Sequence, residues 1–351
     1  MSIGELRDRL QKASKGTHVS ILSESTIATE RNWFPTPSYD LNRILSGSLY
    51  RGIPSKCLAL LVGPEASFKS SMMCLCAVEA QKQGYTVVVI DTEGAWTGDF
   101  VSRWGLDAEK MIYIYTPWID EIFVLLGDII TAKDKKLCLV LDSLGGLEKL
   151  KLVKDSNDGK AKADQGMLQK EMKRMLKMIL NICKGQDSSA LMSGHYYGNP
   201  TGYGDAEQIG GGKFAKLAPD MIVSLKKTQL YENPTAAAKD RIVIGNQIRA
   251  ITMKNRFAPP FQEATVQINY HDGINKYAGL VDMALTCDII VKGGAWFTLP
   301  GGKKVQGEKA VLEAFAENPD EILRQLEEII SKTGYSTTNE ELKLAQEIVS
   351  E

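Results

Sequence analysis

An α/β fold, with a mostly parallel central sheet flanked by helices, is predicted by two observations. Short and nearly continuous apolar runs of strand length recur between residues 57 and 270, and helix-length segments separate most of them. Strands that are apolar throughout, rather than alternately, are buried on both faces, and a parallel sheet covered by helices provides that environment. The composition agrees: 351 residues, 44% hydrophobic and 24% charged, is ordinary for a globular chain and long enough to bury a core without staples.

Taken in order, residues 1–14 read as a short helix, with Ile3, Leu6 and Leu10 at helical spacing. An isolated helix of that length is marginal in water, so it packs on something, a neighbouring subunit being one candidate. Residues 15–32 are polar and linker-like, which makes 1–32 an N-terminal unit. A core spans 33–270. Its strand candidates are CLALLVG (57–63), YTVVVID (85–91), MIYIYTP (111–117), KLCLVLDS (136–143), SALMSGH (189–195), DMIVSLKK (220–227), IGNQIRAITMK (244–254) and EATVQINY (263–270). A helix is expected through Gln83 and another over about 166–184. From 271 to 351 the pattern changes to a small α-rich C-terminal domain. It comprises AGLVDMALTC (278–287), a Gly-rich turn region at 293–304, helical stretches at 308–317 and 319–332 divided by Pro319, and a polar tail.

The formal net charge is −1, so no global field draws the chain to nucleic acid and any such site has to be local. The six cysteines are scattered, and Cys74 and Cys76 lack the partner pair that a zinc site needs. The opening MSIGELRDRLQKAS is polar and amphipathic rather than signal-like, and no apolar run approaches the ~20 residues of a membrane span. These features predict an intracellular, reduced protein with no membrane partner.

The first chemical signal is GPEASFKSS, residues 63–71. Gly63, Lys69 and Ser70 fall into the register of a phosphate loop, between the end of a strand and the start of a helix. Pro64, Glu65, Ala66, Ser67, Phe68 and Ser71 complete the candidate nucleotide-binding loop, where a nest of backbone N–H groups and the helix N-terminus can hold phosphate oxygens. Lys69 reaches the outer phosphates as a point charge, and the Ser70 hydroxyl suits Mg2+. Phe68 stands where a second glycine is usual, which demands either a negative φ or a ring turned away from the nucleotide. A plain strand–turn–helix is the bland alternative.

Two further strand ends carry acids. KLCLVLDS places Asp142 and Ser143 at the carboxyl end of a buried run, where ligands bind in such sheets. Asp142 is a second Mg2+ ligand candidate, though a lone Asp there is also an ordinary N-cap. VVVIDTEGAW ends in Asp91 and Glu93. Glu93 is placed to orient an attacking water, and Asp91 reads as structural. Loop, Asp142 and Glu93 each lie at a strand's carboxyl end, a coincidence that chance explains poorly.

Together these motifs resemble the RecA family of DNA recombinases, in its phage, UvsX-like branch, where Phe also precedes the loop lysine. DTEGAW is similar to the segment carrying the catalytic glutamate, and LVLDSLGGL to the Walker B strand. The likeness runs on through MKNRFAPPFQEATVQINYHDGINKYAGLVDMAL (253–285), KGGAWFTLPGGKKVQGEKA (292–310) and ENPDEI (317–322), where it leans toward bacterial RecA. The resemblance implies a RecA-type P-loop NTPase core that uses ATP and Mg2+. It implies partners that are single-stranded DNA, double-stranded DNA and further copies of the chain in a helical filament. Single-strand-binding and mediator proteins are further candidates, in a bacterial or phage-host cytoplasm.

Residue roles follow by resemblance. The first DNA loop corresponds to 148–165, with Lys149, Lys151, Lys154, Lys160 and Lys162; the helix after it offers Lys170 and Lys177. The second corresponds to 196–212, with Tyr196, Tyr197 and Tyr203 to stack among bases and Gly211 and Gly212 to bend. A loop of that length without structure of its own is uncommon unless functional. His195 matches a γ-phosphate sensor. Lys254 and Arg256 match cations that act on a neighbouring subunit's nucleotide, and Phe100 matches an aromatic that stacks on adenine. A ring helicase or another DNA-dependent ATPase motor shares the loop and acids, but not the 253–310 likeness.

Overall fold

The structure is a computed structural model, and it describes residues 1–14, 19–25, 31–131, 136–150, 165–198, 207–210, 212–233 and 238–333. Helix α1 (Ile3–Ala13) carries a capping box between Ser2 and Glu5 and has no buried residue. Strands β1 (Trp33–Phe34) and β2 (Ile53–Pro54) pair across helix α2 (Tyr39–Ser46). Then follow β3 (Leu58–Val62), α3 (Lys69–Lys82), β4 (Thr86–Asp91), α4 (Gly98–Trp104), β5 (Met111–Tyr115), α5 (Ile119–Thr131) and β6 (Leu137–Asp142). Next come α6 (Gln165–Gly185), β7 (Ser189–Gly194), β8 (Tyr196–Gly198), β9 (Glu207–Ile209) and α7 (Lys213–Leu217). Strands β10 (Met221–Tyr231), β11 (Val243–Asn255), β12 (Glu263–Asn269) and β13 (Gly273–Asn275) complete the core.

Nine strands form the central sheet in the order β13-β12-β11-β10-β3-β7-β6-β4-β5. The pairings from β10 through β5 are parallel, while β10–β11, β11–β12 and β12–β13 are antiparallel. Antiparallel pairing of the last strands departs from the uniform α/β pattern. Among the described residues no α-helix separates them, only a single 3-10 turn at Ala238–Asp240 between β10 and β11, and without a crossover helix neighbouring strands reverse the chain.

Alternation along each strand splits the core in two. Ala59 and Leu61 of β3 face one apolar layer under α2, α3 and α4, with Met72, Met73 and Ala77. Leu58, Leu60 and Val62 face the other, with Ile122 and Leu126 of α5 and Met172, Met175, Leu176 and Ile179 of α6. All six cysteines are buried and free, and desolvation raises their thiols, Cys138 to about 12.

Residues after the core contain α8 (Leu280–Thr286), β14 (Val291–Gly293), β15 (Trp296–Thr298), β16 (Lys304–Gln306), α9 (Glu308–Glu317) and α10 (Pro319–Thr333). The Gly-rich stretch read as a turn region is therefore a three-stranded antiparallel meander. Val311, Phe315, Leu323 and Leu326 build a separate apolar cluster beneath it. Glu327 of α10 ties this unit to the core by accepting from Ser48 Oγ at 2.6 Å and Leu49 N at 2.7 Å. Among the described residues no helix is long and apolar enough to cross a membrane.

Candidate active site

Gly63 leaves β3 into the loop so close to the next strand that a Cβ there would lie 2.3 Å from the Leu225 carbonyl oxygen and 2.6 Å from Ser67 Oγ. Only glycine fits without moving backbone. Gly63→Ala is expected to cost about 2 kcal/mol of stability, read as a fall in Tm, and to weaken nucleotide binding because the loop must shift.

Lys69 opens α3 and is 7% exposed. Its ammonium donates to Gly63 O at 3.1 Å and Pro64 O at 2.7 Å, so the loop folds back on its own lysine. Burial lowers the Lys69 pKa, and Asp142, Glu93 and Glu65 oppose that shift. The loop lysine and the two acids from other strand ends thus share one electrostatic environment.

Phe68 takes φ 78° and ψ 8°, the left-handed region, as the residue just before the helix. Of the two ways to accommodate it, the backbone stays in the conformation glycine would use. An L residue pays about 1 kcal/mol or more there. The ring offsets this by packing edge-on against Trp104, with centroids 5.6 Å apart.

A cavity of about 630 Å³ opens over Ala66–Ser71, a size that suits a small-molecule ligand. Trp104 of α4 and Tyr270, just past β12, supply its aromatic walls, and Arg103, Lys227 and Asn246 its polar ones. Sequence reasoning assigned none of these five. Phe100, expected beside the base, does not line the cavity: its ring packs edge-on to Trp96 at 5.3 Å, on the first apolar layer.

The acids occupy adjacent strand ends, since β4 and β6 pair in parallel with Asp91 opposite Asp142. Asp91 accepts from the backbone N–H groups of Glu93, Gly94 and Trp96 at 3.0, 2.8 and 2.9 Å, and from the Tyr113 hydroxyl at 3.1 Å. It is a brace for the turn that presents Glu93. Asp142 is 4% exposed, accepts from Trp96 Nε1 at 2.9 Å and from the Ser193 hydroxyl, and is joined to Ser143 by a cis peptide. Glu93, with a 44% exposed side chain, accepts from the Ser143 hydroxyl. His195 follows β7 and brings Nε2 to 3.7 Å from Glu93 Oε1. Glu93, Ser143 and His195 thereby form one cluster.

Lys254 and Arg256 do not join it. Lys254 pairs in register with Ile222, which pairs with Leu60, so the end of β11 lies toward the amino ends of the parallel strands. The phosphate loop leaves at their carboxyl ends. Lys254 Nζ donates to Leu217 O at 2.8 Å, and Arg256 Nε is 3.6 Å from Asp220 Oδ1. Burial lowers the Lys254 pKa; Arg256 adds to the shift and Asp220 opposes it.

Among the DNA-contact candidates, Lys149 pairs with Glu171 at 3.6 Å and its side chain is 11% exposed. Lys151, Lys154, Lys160, Lys162, Tyr203 and Gly211 lie outside the described residues. Helix α6 presents Lys170, Lys173, Arg174 and Lys177 outward while Met172, Met175, Leu176 and Ile179 are buried. The segment read as a structureless loop contains a two-stranded ribbon, with Tyr196 opposite Ile209 and Tyr197 opposite Gln208. Gly212 caps α7 behind it.

The RecA N-terminal domain family matches residues 8–275, and the RecA C-terminal domain family matches 278–334. Protein RecA of Leptospira biflexa is 26% identical over 321 residues, covering 91% of this chain and 78% of that protein. Protein RecA of Streptomyces rimosus is 26% identical, covering 83% and 75%, and that of Acinetobacter baumannii is 27% identical, covering 81% and 79%. With matches to both family domains across most of its length, and with the loop, the acids and the sheet arranged as described, the chain belongs to the RecA family.

Proposed function

We propose that this chain is an ATP-dependent recombinase: it polymerises on single-stranded DNA, samples duplex DNA for homology and exchanges strands. The observation that carries the ATPase part is Lys69, which lines a nucleotide-sized cavity with its loop and feels the charges of Asp142 and Glu93 from two other strand ends. The pairing of that core with a RecA C-terminal domain supports recombination over a ring helicase.

In this reading the loop amides and the α3 N-terminus hold the phosphates, and Lys69 gives up its contacts to Gly63 and Pro64 for phosphate oxygens. Trp104 and Tyr270 flank the base. Glu93 orients the attacking water, steadied by Ser143, and His195 senses the outer phosphate through its approach to Glu93. Ser70 and Asp142 are hard oxygen donors that fit Mg2+, an ion that keeps most of its shell as water and phosphate oxygen. When bound, Mg2+ neutralises charge on the phosphates. Among the described residues no group of three His, Cys, Asp or Glu could hold a metal unaided.

Lys254 and Arg256, remote from their own loop, act on a neighbour's nucleotide, so hydrolysis requires assembly. Helix α1 supplies a docking element at the N-terminal unit, with Ile3, Leu6 and Leu10 exposed at 72%, 41% and 50%. DNA lies along the outer face of α6 and the segments at 148–165 and 196–212. Replacing Lys170 and Lys177 together by Ala is expected to weaken single-strand binding and flatten its dependence on log salt by about 1.4, measured by fluorescence anisotropy.

The deciding experiment mixes the protein with ATP, Mg2+, a circular single strand and a homologous linear duplex. Joint molecules and DNA-stimulated phosphate release support the reading; ATP turnover on rings, with duplex unwinding and no joint molecules, removes it.

A further inference from the structure

We propose that Asp220 is a positioning residue for Arg256, the cation that serves the neighbouring subunit's nucleotide. This rests on the trans reading of Lys254 and Arg256 given above. Asp220 immediately precedes β10 and is 2% exposed.

Its two oxygens have different duties. Oδ2 accepts from the Leu58 backbone N–H at 3.1 Å and from Lys184 Nζ at 2.8 Å, which fixes the carboxylate to the first residue of β3 and to the end of α6. Oδ1 faces Arg256 Nε at 3.6 Å. The anchored oxygen belongs to the rigid frame, and the other is offered to a side chain that is 63% exposed. A guanidinium held this way has one end tethered and the rest of its fork open toward solvent, the arrangement a group needs if it is to reach out of its own subunit.

Charge balance gives the second argument. Lys184, Lys254 and Arg256 gather around this one carboxylate. Arg256 and Lys254 repel each other, and Asp220 offsets that repulsion. Without it, the exposed Arg256 would swing away from Lys254, since a flexible side chain relieves like-charge repulsion by moving. Lys254 itself is held by the last carbonyls of α7 through Leu217 O at 2.8 Å, and α7 leads directly into Asp220. One short connector therefore sets the place of both cations.

A structural role for Asp220 would be felt inside its own subunit, whereas a positioning role is felt in the neighbour, and mixed assemblies separate the two. Asp220→Asn keeps an oxygen for Leu58 and removes the charge. Alone it is expected to lower DNA-stimulated hydrolysis at least about tenfold while filaments still form. Mixed in equal amounts with Glu93→Gln, it should recover activity, because about a quarter of the head-to-tail interfaces then combine an intact Glu93 with an intact Asp220. Arg256→Ala mixed with Glu93→Gln is the control.

Recovery in both mixtures supports the proposal. Recovery in the control alone overturns it and leaves the trans reading standing. No recovery in the control overturns both. If Asp220→Asn has a depressed Tm, Asp220→Asn combined with Lys184→Gln, which removes the stranded ammonium, is mixed with Glu93→Gln in its place. Recovery then supports the proposal, and its absence beside a recovering control overturns it.

Discussion

Lys69→Ala should abolish strand exchange and reduce ATP hydrolysis at least about 100-fold, the scale of losing one positioned cation at developing phosphate charge. The structure explains why the loss extends to binding. Lys69 Nζ is the group that closes the loop on itself through Gly63 and Pro64. Removing it leaves the Gly63 carbonyl without its donor, Pro64 O with the Ser67 hydroxyl alone, and the nest without its charge. Stability should change little, by about 1 kcal/mol, because the lost hydrogen bonds are offset by relief of a desolvated ammonium whose pKa burial already lowers. Titration with a fluorescent ATP analogue, phosphate release and a thermal melt check this. Hydrolysis within about threefold of the unmodified chain would refute the assignment of Lys69, since a phosphate-binding lysine contributes far more.

Glu93→Gln should separate chemistry from assembly. Loss of a group that orients and deprotonates the attacking water lowers the rate by about 10²–10⁴. Binding should persist, because Glu93 is braced from Asp91 by backbone N–H groups that the substitution leaves in place. The glutamine carbonyl still accepts from Ser143, so the cluster keeps its shape. Filaments on single-stranded DNA should then form with ATP and disassemble slowly. The checks are single-turnover hydrolysis and light scattering after a salt jump. Rapid disassembly with hydrolysis blocked would break the link between Glu93 and release.

Strand and helix positions were legible in the sequence because burial writes itself as pattern. Leu137–Asp142 and α6 fall within a residue of where apolar runs and helical periodicity put them. The strand–loop–helix junction at 63–71 was legible as spacing, and the outward lysines of α6 as a helical face. What escaped notice depends on the third dimension. Apolar runs carry no sign of direction, so β11 to β13 gave no hint of reversal until the absence of helices between them is weighed. The cavity walls at Trp104, Lys227, Asn246 and Tyr270 come from four separate stretches that only folding assembles. Phe100 shows how a position matched by resemblance can turn inward when a neighbouring aromatic, Trp96, offers it a packing partner. Phe68 is the opposite case: local sequence left a negative φ or a turned-away ring both open, and the backbone is left-handed with the ring packed on Trp104.

The burial of every cysteine has a practical corollary. Thiol-directed reagents attack the thiolate, and these side chains are both shielded and held protonated at neutral pH, Cys74 and Cys138 at about 12 and Cys287 at about 11. The folded surface is chemically silent toward maleimides. A cysteine introduced on the outer face of α6 would be the one site that takes a dye, turning the unmodified chain into its own blank for watching a filament grow.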